Sequence, residues 1–173
     1  KNNYLNNNVN QKNLIFIFNI CNFLKINLKK IIPTLNKFKG LRFRNEIVIN
    51  GKKIKVINDS KSTSFSSTQE LIDTKKKTFW ILGGLPKKGD KFTLSKKDCF
   101  NLRAYIFGKN AEFFVKRLKD KVHYQKFNNM ISAIKKIKID FKKEQMSNEK
   151  IILFSPASAS FEDFKNFEDR GKY

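Results

Sequence analysis

The chain has 173 residues, of which 40% are hydrophobic and 13% aromatic, which is enough apolar side chain for an ordinary folded domain and too much for a disordered chain. Lysine and arginine outnumber aspartate and glutamate by 37 to 15, which gives a formal net charge of +22. Nearly all of this charge is lysine in dispersed pairs, whereas arginine, which recognises phosphates and bases in bidentate fashion, is scarce; the pattern favours a solvated surface over a nucleic-acid footprint.

Two helices are predicted at the start of the chain. Apolar residues follow helical spacing over 10–25, and the polar residues that interrupt them form a single stripe. This stretch is too short and too polar to span a bilayer, and its pattern is that of an amphipathic helix rather than a signal peptide. A second helix is predicted over 27–37, with Pro33 as an unfavourable residue inside it. Gly40 breaks the pattern, and we place a domain boundary before residue 38.

Strands and helices alternate beyond this boundary. Strands at 46–49 and 53–57 flank Asn50-Gly51, a strong signal for a two-residue hairpin. Hydrophobic patterning predicts further strands at 78–82, 103–107, 122–125 and 151–154, and helices at 64–74, 95–101, 110–119, 128–141 and from 160 onward. The alternation predicts an α/β, Rossmann-like fold: a mostly parallel sheet with helices on both faces and an antiparallel edge hairpin. Ligands bind such sheets at the carboxyl ends of the strands.

The first polar motif, NDSKST over residues 58–63, follows a predicted strand. Ser62 or Thr63 would serve as the cap of the next helix. Asp59, Lys61 and Thr63 together exceed what a cap requires, and a carboxylate, an ammonium and a hydroxyl at a helix start suit a nucleotide or an acidic substrate. The pattern alone leaves both interpretations open.

The second motif is a glycine-rich loop over residues 83–91. Gly84 and Gly89 have the spacing of a phosphate-binding P-loop, but Asp90-Lys91 stands where that motif requires Lys-Ser/Thr, so a P-loop is rejected. Two interpretations remain: a flexible loop that presents Lys87 and its neighbouring lysine to an anion, or a plain solvated turn.

The third motif is SPASASFEDFKNFEDRG over residues 155–171. Ser160 resembles the start of a capping box, and Phe161, Phe164 and Phe167 would lie along one side of the helix that follows. The pattern alone favours core packing for these phenylalanines over ligand binding.

Other site chemistry is not indicated. The only histidine, His123, has no nearby serine or cysteine motif, so no catalytic triad is predicted. Cys21 and Cys99 have no pairing pattern and are interpreted as reduced thiols of a cytoplasmic protein. Without a Cys/His cluster, a protein-built transition-metal site is not expected.

In this order, the three motifs resemble the C-terminal part of the Mur ligase family. The resemblance implies that residues 38–173 form a Mur ligase C-terminal domain and that residues 1–37 are the last helices of the central ATPase domain. The SPA-x-AS-F form favours members that add D-glutamate over members that add another amino acid. The sequence departs from the family at Arg42-Phe43, where Pro-His is usual.

The resemblance implies an ATP-dependent amide ligase of peptidoglycan synthesis. In such ligases ATP phosphorylates the carboxylate of UDP-N-acetylmuramoyl-L-alanine, and the amine of D-glutamate attacks the resulting acyl phosphate. Mg²⁺ ligands, the P-loop and the UDP-binding domain of the family are not found in this sequence. We therefore expect a monomeric fragment that is inactive alone and that binds neither nucleic acid nor a membrane. The alternative is a small basic nucleic-acid-binding α/β protein.

The family's contacts can be carried over to the matching positions of this sequence. The resemblance assigns ATP contacts to Arg44 and Asp59, to Lys61 beside them, and to Asn10 and Asn13 near the adenine. It assigns D-glutamate contacts to Thr63, Lys87, Ser160, Phe161 and Phe167, the last through its backbone.

Overall fold

The computed structural model describes residues 2, 4–5, 8–144 and 149–173. The chain forms two compact units, Lys1–Leu41 and Arg42–Tyr173. The division falls at 41/42 rather than at the predicted 37/38. The assignment of the first unit to an ATPase domain stays a prediction.

The first unit contains the two predicted helices, α1 (Asn8–Phe23) and α2 (Leu28–Lys37). The side chain of Asn27 caps α2 by accepting a hydrogen bond from the backbone N–H of Lys29, and Pro33 lies inside this helix. Most large apolar side chains of the two helices are exposed, including Ile15, Phe16, Ile20, Phe23 and Ile32. Within the described residues, no helix is both long enough and apolar enough to cross a bilayer.

The second unit is built on one six-stranded sheet. Its strands are β1 (Glu46–Asn50), β2 (Ile54–Asn58), β3 (Lys77–Gly83), β4 (Leu102–Phe107), β5 (His123–Phe127) and β6 (Lys150–Phe154). They lie in the order β1-β2-β6-β3-β4-β5. Only the β1–β2 hairpin is antiparallel, and the other neighbours are parallel. The α/β class, the mostly parallel sheet and the antiparallel edge hairpin are therefore confirmed.

Helices cover both faces of this sheet. They are α3 (Phe65–Gln69), α4 (Ala111–Leu118), α5 (Met130–Lys143) and α6 (Phe167–Lys172). Successive side chains of a strand point to opposite faces, so β3 contributes to two separate cores. Trp80 packs with side chains of α3 and α4, whereas Phe79 packs with side chains of α5.

Two of the predicted helices differ from the structure. The helix predicted over 64–74 ends at Gln69, and turns follow it, including one in which Asp73 accepts a hydrogen bond from the Lys75 N–H. The helix predicted over 95–101 is wrong, because this segment is a series of turns. Ser95 and Asp98 bond each other's backbone and side chains there, and such local bonds compete with a helix. Of the apolar residues in the segment, Cys99 is buried in the core, whereas Phe100 is 87% exposed.

The final helix also begins later than predicted. It starts at Phe167, with Asn166 as its N-cap, and residues 160–166 form turns and bends. The interpretation of Ser160 as a helix cap and of the three phenylalanines as one helical stripe is therefore wrong. Phe161 is 71% exposed, whereas Phe164 packs against the α5 side of the sheet.

Candidate functional site

The three polar motifs meet at the carboxyl ends of β2, β3 and β6. The loop after β6 joins the loop after β2 through a hydrogen bond from the Ser158 N–H to the Ser62 carbonyl (3.4 Å). It joins the loop after β3 through paired backbone hydrogen bonds between Leu85 and Ala159 (2.8 and 3.2 Å). Parallel strands place their carboxyl ends at one edge, and this geometry brings together segments far apart in the sequence.

Asp59 is a buried carboxylate at this edge, with 6% of its surface exposed. Its two oxygens accept hydrogen bonds from the Asn45 N–H (3.0 Å) and the Ser155 hydroxyl (2.8 Å). Burial raises the pKa of Asp59 to about 6, and it outweighs the opposing effects of these hydrogen bonds and of the Arg44 and Arg170 guanidinium groups. The ionisation of Asp59 is therefore shifted toward neutral pH.

Buried hydroxyl groups continue from Asp59 into the core. Ser155 Oγ lies 2.8 Å from Thr68 Oγ1, which lies 2.7 Å from Ser62 Oγ. The indole N–H of Trp80 donates to the Ser155 carbonyl (2.7 Å). Ser62 is thus part of a structural chain, and the cap of α3 is Ser64 rather than Ser62 or Thr63 as predicted.

Arg170, on α6, places its guanidinium among the same loops and is 1% exposed. Nε and Nη2 donate to the hydroxyl and carbonyl of Ser60 (3.2 and 2.7 Å). The remaining bonds go to Ser158 and Ala159: Nη2 to the Ser158 carbonyl (2.9 Å), and Nη1 to the Ser158 hydroxyl (3.3 Å) and the Ala159 carbonyl (3.1 Å). Burial lowers the pKa of Arg170 to about 10. No sequence pattern predicted a role for this residue, although it stands within the third motif.

The glycine-rich loop approaches the loop after β6 closely. Gly84 has a φ of +118°, and a Cβ built there would lie 2.7 Å from Ser158 Oγ and 2.8 Å from the Ala159 carbonyl oxygen. The Ser158 hydroxyl also donates to the Gly83 carbonyl (2.6 Å). A glycine is required at position 84 because no side chain fits between the two loops.

Phe43, at the departure from the family pattern, is buried with a φ of +61°. Its backbone N–H donates to Glu46 (2.8 Å), and its carbonyl accepts from the Lys61 N–H (2.9 Å). Its ring lies against Gly171, where a Cβ would come within 2.3 Å of the ring. Phe43 therefore joins the segment before β1 to the end of α6.

The side chains with predicted D-glutamate contacts fall into two groups. Across the described ranges, the side chains of Thr63, Lys87 and Ser160 have no hydrogen bond or ion pair. Each lies within two residues of a backbone bond that joins the loops. Phe167 differs, because its carbonyl accepts from the Ser60 hydroxyl (2.8 Å) and its ring contacts the Lys61 ammonium at 3.9 Å. Phe161 is largely exposed.

The residues with predicted ATP contacts lie in both units. The Lys61 N–H donates to the carbonyl of Phe43, the residue before Arg44, and Arg44 acts electrostatically on Asp59. In the first unit, the Asn10 side chain donates to the Tyr4 carbonyl (2.7 Å), and Asn13 is exposed on α1.

No cluster of three or more His, Cys, Asp or Glu side chains suited to a metal ion occurs in the described part of the chain. Within the described ranges, therefore, no such group could hold Mg²⁺ without ligands from elsewhere.

Asp90 was recognised in the sequence only as a departure from the P-loop. Its carboxylate accepts from the Phe65 N–H at the start of α3 (2.6 Å), and its carbonyl accepts from Arg117 (2.8 Å). These bonds anchor the loop that carries Lys87 beside the segment that carries Thr63.

Comparison with known proteins identifies relatives along most of the chain. No protein-family model matches it. UDP-N-acetylmuramoylalanine–D-glutamate ligases from Wolbachia of Brugia malayi and from Wolbachia pipientis wMel are 34% and 35% identical over 164 residues, which cover 94% of this chain and 32% of each relative. The ligase of the same name from Francisella philomiragia is 33% identical over 167 residues, or 39% of its length.

The chain thus spans about a third of the length of the curated relatives it matches. These matches show that it is homologous to one part of the UDP-N-acetylmuramoylalanine–D-glutamate ligases, which confirms the family resemblance that its motifs indicated.

Proposed function

We propose that this chain is the D-glutamate-binding and nucleotide-contacting part of an ATP-dependent ligase that adds D-glutamate to UDP-N-acetylmuramoyl-L-alanine. One observation carries the proposal. In a homologue of D-glutamate ligases, three side chains able to bind carboxylates lie on adjoining loops at the carboxyl edge of the sheet and have no partner among the described residues.

The chemistry of these three side chains suits a dicarboxylate. Lys87 supplies a positive charge, and the hydroxyls of Thr63 and Ser160 supply neutral hydrogen-bond donors. Lys87 is exposed and Ser160 is buried, so the ligand would extend from the loop surface toward the sheet. Donors on separate, mutually bonded loops would hold the two carboxylates at a defined spacing and orient the amine for attack, which is an entropic contribution to catalysis.

The nucleotide would contact the neighbouring part of the same edge. Arg44 and Lys61 are exposed cations that suit phosphate oxygens. Asp59 would act mainly by holding the Asn45 backbone next to Arg44, since both of its oxygens already accept hydrogen bonds. ATP supplies the phosphoryl group that activates the acceptor carboxylate, and Mg²⁺ ligands would come from outside the described residues.

The first unit would belong to the central ATPase domain of such a ligase. Its exposed apolar side chains, among them Phe16, Ile20 and Phe23, are consistent with helices that pack on further protein. The family resemblance would assign adenine contacts to Asn10 and Asn13 of this unit. The full activity would then require the segments of the relatives that this chain does not match, and the chain alone would be inactive.

The proposal can be tested by titrating the isotopically labelled chain with D-glutamate and recording amide chemical shifts. We expect D-glutamate to shift the amide signals of Thr63, Lys87 and Ser160. L-glutamate at the same concentrations should not shift the signals of these three residues. Uniform shifts with both enantiomers, or no shifts at these residues, would contradict the proposed site.

Lys87→Ala should weaken D-glutamate binding by about tenfold or more, because it removes a charge-assisted hydrogen bond worth roughly 1.5–3 kcal/mol. Lys88→Ala is the matched control: it removes the same charge from the adjacent exposed position and should change the dissociation constant less than twofold. Equal effects of the two substitutions would show that the loop attracts glutamate only through its general charge.

The net charge of +22 is the observation that favours the alternative function. A nucleic-acid-binding protein should bind duplex or single-stranded nucleic acid at physiological ionic strength, with an affinity that falls steeply as salt rises. Binding that disappears at physiological salt would leave only nonspecific attraction to a lysine-rich surface.

A further inference from the structure

We propose that Arg170 is a positioning residue for the D-glutamate site: its buried guanidinium sets the locations of Ser160 and of the Phe167 backbone relative to the loop that carries Thr63. The inference rests on the proposed function and adds to it a residue that would not itself touch the ligand.

The guanidinium connects three segments that are far apart in the sequence. Arg170 is part of α6, Ser60 follows β2, and Ser158 and Ala159 follow β6. Ser160 comes directly after Ala159, whose carbonyl accepts a hydrogen bond from Nη1. The position of Ser160 therefore depends on where the guanidinium lies.

A second path leads from Arg170 to Phe167 through a hydroxyl. Arg170 Nε–H donates to Ser60 Oγ, and the Ser60 hydroxyl in turn donates to the Phe167 carbonyl. Donation from arginine leaves the hydroxyl proton of Ser60 directed at that carbonyl. This orders the backbone of Phe167 at the start of α6, which is the backbone predicted to bind the amino acid.

The acceptors around Arg170 explain why another cation would not replace it. Within the described part of the chain its five hydrogen bonds all go to carbonyl or hydroxyl oxygens, and none goes to a carboxylate. The planar fork of arginine directs its N–H groups at several fixed oxygens at once, whereas the lysine ammonium is a compact group with three donors. A lysine at position 170 would leave buried carbonyl groups unsatisfied and free the loop after β6 to move.

The test compares Arg170→Lys with Arg103→Lys in the labelled 173-residue chain. Arg103 forms a partly exposed ion pair with Glu144 (2.9 Å) at the start of β4, away from the carboxyl edge, so the same chemical change there is a matched control. Both proteins are titrated with D-glutamate, and their thermal unfolding is recorded separately.

We expect Arg170→Lys to weaken D-glutamate binding at least tenfold and to shift the free-state amide signals of Ser160 and Phe167, while Arg103→Lys changes the dissociation constant less than twofold. Partial unfolding lowers the intensity of the folded signals but leaves the dissociation constant of the folded fraction unchanged. A lowered unfolding temperature with unchanged affinity would therefore overturn the positioning role and leave a purely structural one.

Ser60→Ala provides a milder variant in case Arg170→Lys does not fold. It removes the hydroxyl relay to Phe167 but keeps the guanidinium bonds to carbonyl groups, and we expect binding to weaken about threefold. Unchanged affinity in Ser60→Ala would overturn the relay. If D-glutamate shifts no signals of the unsubstituted chain, the proposed function is contradicted, and so is this inference. If the unsubstituted chain binds D-glutamate, the affinities of the variants test the positioning role alone.

Discussion

Two oppositely charged residues, Asp59 and Arg170, are buried in the same loops without a hydrogen bond between them. Each is satisfied instead by neutral groups: Asp59 by a backbone N–H and a serine hydroxyl, and Arg170 by carbonyls and hydroxyls. Burial moves both pKa values toward neutrality, upward for the acid and downward for the base. For Asp59 the change reaches a pH range in which stability can be measured.

Asp59 should make the protein less stable as the pH rises from about 4 to 6. Its pKa is raised from 3.8 in the unfolded chain to about 6 in the folded state, so the folded state binds the proton more tightly. The stabilisation is complete below pH 3.8 and is lost as the pH passes through 6, and it amounts to about 3 kcal/mol at most. Denaturant unfolding at a series of pH values measures this slope.

Asp59→Asn should flatten that part of the pH profile, because asparagine does not titrate. The variant keeps an oxygen able to accept from the Asn45 N–H, and Ser155 can accept from the new amide. Arg44 and Arg170, the charged groups that act on Asp59, remain in both proteins. An unchanged slope between pH 4 and 6 in the variant would mean that other groups cause it.

At the scale of elements, the end of the chain shows how local signals compete for a helix start. Ser160 and Asn166 are both cap-forming residues, and each is followed by acidic residues. Only Asn166 caps a helix, because its side chain accepts from the Asp169 N–H and α6 then places Arg170 in the buried position between the loops. The sequence signals at Ser160 and Asn166 are similar, and the tertiary contacts of α6 determine that the helix begins after Asn166.

Asn166→Ala should lower the free energy of unfolding by about 1 kcal/mol, the typical value of an N-cap hydrogen bond. Asn110→Ala is a matched control, because Asn110 occupies the N-cap position of α4 but its side chain makes no capping hydrogen bond. We expect a change below about 0.5 kcal/mol for the control in the same denaturant experiment. Equal losses in the two variants would contradict the assigned start of α6.

At the scale of the whole molecule, the excess of positive charge is the dominant electrostatic feature. Ion pairs such as Arg103–Glu144 and Lys126–Glu112 join partly exposed side chains, whereas Lys136–Asp140 includes a buried carboxylate. These pairs involve few of the lysines. The remaining cations repel one another, and this repulsion disfavours the compact state.

Added salt should therefore stabilise the protein. Salt shortens the distance over which charges act, from about 30 Å at 0.01 M to about 8 Å at 0.15 M. It therefore weakens the repulsion between distant cations more than the attraction within the few close ion pairs. We expect the unfolding temperature to rise by about 3 °C over this range, which corresponds to about 1 kcal/mol for a chain of this length. Sodium and potassium chloride should act alike; a falling unfolding temperature would show that attractive pairs prevail.

Much of the second unit follows from patterns that are local in the sequence. The alternation of apolar strands with amphipathic helices predicted the mostly parallel sheet, and Asn50-Gly51 predicted the hairpin at its edge. The same patterns located the motifs around Asp59, Gly84 and Ser160 after strands, at the edge where ligands bind such sheets. That these motifs contact one another is shown by the structure. Residue types and motif order were sufficient to identify the family, while the roles of individual site residues stay predictions.

Other features depend on contacts that no local pattern contains. The guanidinium of Arg170 bonds Ser60, a residue 110 positions away, and the ring of Phe43 packs on Gly171. The segment over 95–101 has helical spacing but no surface to bury Phe100 against, and so it forms turns. Periodicity and capping preferences act over a few residues, whereas burial and the satisfaction of buried polar groups are decided only when distant segments come together.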